Sequence, residues 1–348
     1  MEDRLRVLLV DYSNLAARAF FSHSLHTSKG EHSGMVFGAL KMLKSKITRY
    51  GVDEVVVALD SKPYWRSLVL PTYKAGRRKN FGLDSADGAD FNRQFGDLKK
   101  ILSSLDMKVV SSPGLEADDI LALSCAMRKD EDEYFIYSSD HDFSQLVGPK
   151  VTVLRGSEKD PIVDMSNVEE HTRGVGPERY PELLALTGDP TDNIPSAFAE
   201  IDGTAEEGYF WREPKVTGLA GKTAKLMIAN STENLLSGKV NPAKGVGGKV
   251  VELFLKFSKK NLENYERNLK LVNLRDPHAA DMRILPQVEQ SRNPGMFLEY
   301  IRRYECGSVR ESDSFPYFYI PSEQIKSSGR VEVPKTSIAS ILGGRSKK

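Results

Sequence analysis

Short apolar segments in the first half of the chain each end at an aspartate. Residues 5–10, 55–59 and 134–137 have the length and composition of buried strands. The aspartates that follow them are Asp11, Asp60 and Asp140. Helical patterns separate the strands, so we predict an α/β fold built on a parallel sheet with helices on both faces. Functional crevices of such sheets lie outside the carboxyl ends of the strands, and we therefore expect the three aspartates to meet there.

A second acidic group, Glu116, Asp118 and Asp119, begins a predicted helix whose apolar face starts at Ile120. The helix macrodipole favours negative charge in a first turn, which accounts for one or two of these carboxylates. It does not account for the further acids at Asp142, Asp189 and Asp192. If the fold gathers all nine carboxylates, their repulsion would be severe without cations between them. Hard divalent cations are the expected partners of such oxygen ligands.

The chain length, net charge and residue composition exclude some classes of protein and leave others open. The 348 residues allow one large or two ordinary domains, and the formal net charge of +1 identifies no partner. Two cysteines and six histidines show no zinc-like spacing and no disulfide framework, so we expect reduced, intracellular chemistry. We see no signal peptide and no apolar run of about 18 residues, and we expect a cytoplasmic protein without membrane contact.

A basic segment with interleaved aromatic residues lies between Asp60 and Asp84, where no other acid occurs. Its cations are Lys62, Arg66, Lys74, Arg77, Arg78 and Lys79, and its aromatic residues include Tyr64, Trp65, Tyr73 and Phe81. A solvated surface loop normally mixes both signs of charge. The pattern instead favours single-stranded nucleic acid, since it combines phosphate neutralisation with base stacking.

Five motifs, taken in order, resemble those of the flap endonuclease and 5′-3′ exonuclease superfamily. They are Val10-Asp-Tyr-Ser-Asn14, Ala58-Leu-Asp60, Gly114-Leu-Glu-Ala-Asp-Asp119, Ser139-Asp-His-Asp142 and Thr187-Gly-Asp-Pro-Thr-Asp-Asn-Ile194. The resemblance covers roughly residues 5–300, and within the family it is closest to the ribonuclease H of T-even bacteriophages. It implies a PIN-like nuclease core with a helical arch near residues 62–95, followed by a mainly helical DNA-binding subdomain.

The resemblance also implies a set of site residues. A first metal ion would be surrounded by Asp11, Asp60, Glu116, Asp118, Asp119 and Asp140, and a second by Asp142, Asp189 and Asp192. Lys74 and Arg77, at the base of the arch, would act as catalytic cations at the scissile phosphate. Arg66, Tyr73, Arg78 and Lys79 would contact nucleic acid. The cofactors implied are two Mg²⁺ ions, with Mn²⁺ as an alternative.

The second half of the chain changes character near residues 180–190, where strands become rare and glycine-lysine loops occur. Gly221-Lys222-Thr223 is not a P-loop, because the position that requires the earlier glycine is Val216. Between Lys215 and Lys260 there are nine lysines and two glutamates, which favours a helix-hairpin-helix-like surface for duplex phosphates. We expect contacts from Lys215, Lys222, Lys225, Lys244 and Lys249. An insertion at residues 196–214 leaves open whether the family's potassium-binding hairpin is present.

We therefore predict a nuclease core at residues 1–185, a duplex-binding subdomain at 186–305, and an extension at 306–348 that is flexible from about 322. The expected function is removal of RNA primers and 5′ flaps in replication by two-metal hydrolysis. Expected partners are DNA and RNA–DNA junctions and, as replication proteins, a single-stranded-DNA-binding protein and a sliding clamp. We expect a monomer.

Two other classes of function remain open. Asp140-His-Asp142 and Gly188-Asp-Pro-Thr-Asp192 superficially fit a haloacid-dehalogenase-type phosphatase, although Asp11 is followed by Tyr-Ser rather than by the second acid that this class needs. A catalytically inactive DNA-binding scaffold of the same fold is the other alternative, and the complete acid set argues against it.

Overall fold

The protein is described by a computed structural model over residues 4–75, 86–105, 107–156, 162–202, 210–275 and 287–310. Nine strands lie within these ranges. They are β1 (Arg6–Asp11), β2 (Glu54–Ala58), β3 (Lys108–Ser111), β4 (Glu133–Tyr137), β5 (Val151–Leu154), β6 (Ile162–Val163), β7 (Glu200–Asp202), β8 (Phe210–Arg212) and β9 (Gln287–Glu289). Seven form one sheet in the order β6-β5-β4-β1-β2-β3-β9, and β7 and β8 form a separate hairpin.

The five central strands of the large sheet are parallel, as the apolar segments predict. The two short edge strands, β6 and β9, run antiparallel. They carry too few residues for a periodic signal, which explains why the sequence did not indicate them. The strand order reverses between β1 and β4, which is where ligands bind in open α/β sheets.

Alternate residues of β1 enter two different apolar cores, as a strand with both faces covered requires. Leu8 and Val10 pack into one core and Val7 with Leu9 into the other, and all four are almost completely buried. The first core is closed by α1 (Tyr12–Ser22), α2 (Gly34–Tyr50), α4 (Ala86–Ser104) and α12 (Pro294–Arg303). The second core receives α5 (Ala117–Ala126), α7 (Tyr180–Thr187) and α11 (Lys259–Val272).

The later helices extend the second core away from the sheet. α8 (Leu219–Ala229), α9 (Thr232–Leu236) and α10 (Gly248–Leu255) add Leu226, Leu235 and Phe254 to it. The remaining helices are the short α3 (Trp65–Val69), α6 (Val168–His171) and α13 (Gly307–Arg310). The predicted change to mainly helical structure is therefore observed. The division at residue 185 stays a prediction, and β9 and α12 return to the sheet.

The three predicted strands agree with β1, β2 and β4 to within one residue, and the predicted acidic first turn is the start of α5. The predicted arch is described only in part, because residues 76–85 lie outside the described ranges. The predicted flexible tail lies outside them as well. Within the described residues, no helix is both long and apolar enough to cross a membrane.

Candidate active site

The carboxyl ends of β4, β1 and β2 deliver three aspartates to one edge of the sheet. Asp11 is the last residue of β1, Asp60 follows β2 by two residues, and Asp140 follows β4 by three. Because these strands are direct neighbours in parallel register, their ends lie side by side. The sequence prediction that the three aspartates meet is in accord with this arrangement.

Hydrogen bonds fix the carboxylates of Asp11 and Asp60. Asp11 caps α1 by accepting from the backbone N–H of Asn14 at 3.0 Å, and its other oxygen accepts from the Ser138 hydroxyl at 2.9 Å. Asp60 accepts from the backbone N–H of Ala117 at 2.9 Å and from the Ser13 hydroxyl at 2.6 Å. The bond to Ala117 joins the loop after β2 to the first turn of α5, which carries Asp118.

The first group of carboxylates lies at this edge, where its members repel one another. It consists of Asp11, Asp60, Asp118 and Asp140. The pKa of Asp11 is raised to about 6, chiefly by burial and also by the negative charges of Asp60 and Asp140, which together outweigh the hydrogen bonds that lower it. Burial also raises the pKa of Asp118 well above its usual value, and Asp140, Asp11 and Glu116 add to the shift. Carboxylates that raise one another's pKa in a desolvated site are short of positive charge.

The second group of carboxylates consists of Asp140, Asp142, Asp189 and Asp192. Burial raises the pKa of Asp142 well above its usual value. The negative charges of Asp140, Asp189 and Asp192 have smaller effects in the same direction. Burial and then Asp192 raise the pKa of Asp189 as well. Asp140 acts on Asp11 and Asp118 in the first group and on Asp142 in the second, so it is the residue that the two groups share.

A tight turn between Gly188 and Ile194 holds Asp189 and Asp192. Asp189 accepts from the backbone N–H of Thr191 at 2.8 Å, and Asn193 adopts a left-handed conformation with φ of 57°. Gly188 has φ of 74°, and a β-carbon there would lie 2.5 Å from the carbonyl oxygen of Ile194. A side chain at position 188 would therefore force the acidic turn open.

The second group borders a cleft of about 560 Å³. Its acidic lining is formed by Asp140, Asp142, Asp189 and Asp192, together with Glu170. Asn14 and Ser139 line it at the sheet edge, where the Asn14 amide donates to the Ser139 hydroxyl at 2.7 Å and accepts from its backbone N–H at 3.1 Å. This pair of hydrogen bonds, which joins the segments that follow β1 and β4, was not predicted from the sequence. The available signal was the position of Asn14, three residues after Asp11.

Lys74 places a positive charge between the two acidic groups. Its ammonium contacts Glu116 and lies 3.4 Å from Asp192, and its backbone N–H donates to the Asp192 carbonyl at 2.9 Å. The side chain is only 12% exposed, and the backbone is left-handed with φ of 53°. The structure thus places Lys74 beside the acids, as the resemblance implied. Its catalytic role stays a prediction.

Arg66 and Tyr73, which were predicted to contact nucleic acid, are buried against carboxylates in this structure, and their binding role stays a prediction. Arg66 is 3% exposed and donates to Asp119 at 2.7 and 2.8 Å and to Glu116 at 2.9 Å. The Tyr73 hydroxyl is buried 2.8 Å from Glu116 and 3.1 Å from Asp192. Because α3 packs against the start of α5, these two side chains serve the buried acids and are not presented to a ligand.

Asp119, which the resemblance implied as a metal ligand, is also held by interior groups in this structure, and its metal role stays a prediction. Asp119 is 1% exposed, and besides the two Arg66 bonds it accepts from the Trp65 indole at 3.2 Å and from the Glu116 backbone N–H at 3.0 Å. Consecutive residues of a helix point about 100° apart, so the side chains of Asp118 and Asp119 leave α5 in different directions. Glu116 is also held by cations. Its pKa is lowered despite burial because Lys74 and Arg66 stabilise the carboxylate.

The carboxylate set fits divalent cations by its chemistry. All of the predicted ligands carry hard oxygen donors, and the raised pKa values show an excess of negative charge. Within the described residues, no group of three or more His, Cys, Asp or Glu side chains is arranged to hold a metal ion.

The lysines predicted for duplex binding lie on two glycine turns of the helical part. Gly218, with φ of 67°, precedes α8, and Gly245, with φ of 80°, precedes α10. A β-carbon on Gly245 would lie 3.3 Å from the ammonium of Lys225, so the second turn lies beside α8. Four of the lysines, Lys215, Lys225, Lys244 and Lys249, are exposed, and Lys222 is half-buried. Their binding role stays a prediction, as do those of Arg77, Arg78 and Lys79, which lie outside the described residues.

Comparison with known proteins agrees with this geometry. The family described as "5'-3' exonuclease, N-terminal resolvase-like domain" matches residues 6–173. The thermostable DNA polymerase I of Thermus filiformis is 37% identical over 235 residues, which is 66% of this chain and 25% of that protein. The enzyme of the same name from a strain of Thermus thermophilus is 32% identical over 317 residues, 88% of this chain and 33% of the relative. This chain therefore spans about a quarter to a third of the length of these relatives.

Among solved structures, the bacteriophage T5 5′-exonuclease with bound zinc ions superposes with a TM-score of 0.60 and 19% identity, covering 88% of this chain and 98% of that one. The T5 flap endonuclease in a pseudo-enzyme–product complex with DNA and metal ions gives a TM-score of 0.60 and 18% identity, covering 88% and 100%. At this identity the likeness shows the fold. The fold and the sequence match agree with each other, and residues 6–173 match the family of the 5′-3′ exonuclease N-terminal domain.

Proposed function

We propose that this chain is a structure-specific 5′-nuclease that removes RNA primers and 5′ flaps during DNA replication. The observation that carries the proposal is the pair of acidic groups joined through Asp140 and bridged by Lys74 at the ends of three adjacent parallel strands. Such a site repels phosphate until cations neutralise it, and then it holds a phosphodiester at a fixed place. The T5 flap endonuclease of the same fold is described in complex with DNA and metal ions, which supports a nucleic-acid substrate.

Divalent ions, for which we propose Mg²⁺ with Mn²⁺ as an alternative, would activate water and stabilise the leaving oxygen. Asp11, Asp60, Asp118 and Asp140 would hold one ion, with Glu116 as a further ligand. Asp142, Asp189 and Asp192 would hold the other. The hydrogen bonds from Ser138, Ser13 and Thr191 orient these carboxylates before substrate arrives.

Lys74 has a separate task. In the structure its ammonium is shared by Glu116 and Asp192, two carboxylates that we assign to different ions. Neutralisation of the acids by divalent ions would release the ammonium toward the phosphate. A cation at that place stabilises the charge that develops during displacement, and Arg77 is the second cation proposed for this role.

The phosphatase alternative has no support from a particular contact. A phosphatase of the haloacid dehalogenase type needs a second acid shortly after the strand-end aspartate, and the residue two positions after Asp11 is Ser13, whose hydroxyl donates to Asp60. An inactive scaffold would not need Lys74 in the acidic site. The single-stranded-DNA-binding protein and the sliding clamp stay proposals as partners.

Mass spectrometry of products tests the proposal. The substrate is a labelled 5′-flap duplex with Mg²⁺, and parallel reactions use an RNA-primed duplex, a blunt duplex, p-nitrophenyl phosphate and EDTA. We expect short 5′ oligonucleotides from the flap and from the primer, and no release of p-nitrophenol. Release of phosphate alone would favour a phosphatase, and intact DNA with normal binding would favour a scaffold.

A further inference from the structure

The acidic turn that carries Asp189 and Asp192 is closed by a stem of backbone hydrogen bonds. At its mouth, Asp189 and Ile194 exchange two hydrogen bonds of 2.8 Å. Outside the mouth, the N–H of Ala197 donates to the carbonyl of Leu186 at 3.0 Å. The two carboxylates therefore keep their places only as long as the two arms of this stem stay together.

Asn268, on α11, joins the two arms of the stem through one side-chain amide. Its Nδ2 donates to the carbonyl of Ala185 at 3.0 Å, before the turn, and to the carbonyl of Pro195 at 2.7 Å, after the turn. The asparagine side chain is fully buried, and so are both of its partner residues. A buried carbonyl that loses its donor is costly, so both bonds oppose separation of the arms.

The orientation of the Asn268 amide is set by the neighbouring Arg267. A guanidinium can only donate, and that of Arg267 donates to the Oδ1 of Asn268 at 2.9 Å and to the Oδ1 of Asn264 at 3.0 Å. The Nδ2 of Asn268 therefore faces the two carbonyls of the stem. The sequence motifs gave no reason to select this residue, because Asn268 lies 73 residues after Pro195 in the chain.

The acidic turn needs support because its carboxylates repel one another. Burial and the charge of Asp192 raise the pKa of Asp189, and both of these aspartates act on Asp142 in the same direction as burial. Repulsion between like charges in a desolvated group favours their separation. Groups that orient the ligands of a metal ion, without touching the ion, typically change its affinity by about 10- to 100-fold.

We propose that Asn268 is a positioning residue that holds the turn carrying Asp189 and Asp192 in place for the second divalent ion. This inference rests on the proposed nuclease function and deepens its assignment of the second ion. Asn268 acts through the backbone of the turn and not by contact with the substrate. Loss of its amide should therefore weaken binding of the second ion and leave the ion of the first acidic group unchanged.

Binding of Mn²⁺ in the absence of nucleic acid tests this role. Electron paramagnetic resonance of unbound Mn²⁺ compares wild type, Asn268→Ala and Asn230→Ala. Asn230 is the matched control, because it is also buried and its amide also donates to two carbonyls, those of Leu226 and Asn241, which lie outside the stem. We expect Asn268→Ala to weaken one Mn²⁺ site about tenfold or more, and Asn230→Ala to leave Mn²⁺ binding unchanged.

Thermal melting of each variant checks that the fold is retained. If Asn268→Ala does not fold, Asn268→Ser takes its place in the titration, because a serine hydroxyl can donate to only one of the two carbonyls. The serine variant should still weaken the same Mn²⁺ site. Wild-type Mn²⁺ affinity in a folded variant at position 268 would overturn the positioning role.

Combination with variants of the two acidic groups assigns the loss to one ion. Together with Asp189→Asn, Asn268→Ala should cause no further loss of Mn²⁺ affinity, because both changes act on the same site. Together with Asp60→Asn, which changes the first group, the loss of about tenfold should appear in full. A loss that persists in full beside Asp189→Asn would contradict the proposal.

Single-turnover cleavage of a 5′-flap duplex separates positioning from a general loss of structure. We expect Asn268→Ala to raise the Mn²⁺ concentration for half-maximal rate about tenfold, while saturating Mn²⁺ restores the wild-type rate. A rate that stays low at saturating Mn²⁺ would contradict the positioning role. Absence of cleavage by wild type would contradict the nuclease proposal, and the Mn²⁺ titration would still test Asn268. Cleavage by wild type with unchanged Mn²⁺ binding in Asn268→Ala would contradict only the positioning role.

Discussion

The acidic cleft and the two glycine turns carry their charges in opposite ways. In the cleft, buried carboxylates shift one another's pKa, and Lys74 is shared between two of them. On the turns, lysines such as Lys225 and Lys244 are exposed and have no ion pair within the described residues. Charges in a desolvated group interact strongly, whereas exposed charges are screened by salt and act almost independently. The effects of substitutions in the cleft should therefore be large and non-additive. The effects of substitutions on the turns should be small and additive.

The largest effect should come from Asp140, which belongs to both acidic groups. We expect Asp140→Asn to lower the cleavage rate by more than about a thousandfold, since the amide removes a charge from both proposed ion sites at once. DNA affinity in EDTA should be unchanged or tighter, because a repelling carboxylate is gone. Asp130→Asn, at an exposed acid outside the cleft, is the matched control. Near-normal turnover by Asp140→Asn in Mg²⁺ would contradict the two-metal assignment.

Lys74 should give the next largest effect. Its loss should lower the single-turnover rate roughly a hundredfold, equivalent to about 3 kcal/mol, because the ammonium meets more negative charge in the transition state than in the substrate. Lys100→Ala, at an exposed lysine of α4, is the control. We expect a similar loss for Arg77→Ala. If affinity falls tenfold and the rate at saturating enzyme does not change, these cations only hold the strand.

The raised pKa of Asp11 predicts a stability that depends on pH. Its pKa of about 6 in the folded protein exceeds the usual 3.8, so the folded state binds more protons between these values and stability falls as pH rises through that window. Asp11→Asn keeps the cap of α1 and removes the charge. In EDTA at pH 7 it should raise the free energy of unfolding by up to about 3 kcal/mol. Urea denaturation from pH 4 to pH 7 measures this.

Divalent ions provide the control for that measurement. Mg²⁺ at pH 7 should stabilise wild type more than Asp11→Asn, because the ion neutralises the charge that the variant lacks. A wild-type stability that rises steadily from pH 4 to pH 7 in EDTA would contradict the proposed repulsion.

The smallest effects should come from the glycine turns. Lys222→Ala and Lys244→Ala should each lower the salt slope of duplex binding by roughly one unit, and the double variant by about two, because each lysine would neutralise a separate phosphate. Lys100→Ala, at an exposed lysine of α4, should leave the slope unchanged. An unchanged slope in the double variant would show that the duplex binds elsewhere.

Local sequence determined the parts of this protein that depend on neighbouring residues. Strand segments such as 55–58 were predictable because both faces of a parallel strand are buried, which leaves a continuous apolar run. The positions of Asp11, Asp60 and Asp140 at the edge followed from those strands. Asp118 was predictable as part of an acidic first turn, and the motif order indicated the family.

Tertiary structure decided which charges face the cleft and which neutralise one another in the interior. Arg66 and Asp119 are 53 residues apart, and no local pattern shows that they form a buried pair. The proximity of Lys225 to Gly245, and that of Asn268 to the acidic turn, likewise depends on how α8, α10 and α11 pack. Sequence periodicity gives the direction of a side chain relative to its own helix or strand, and only packing determines what lies in that direction.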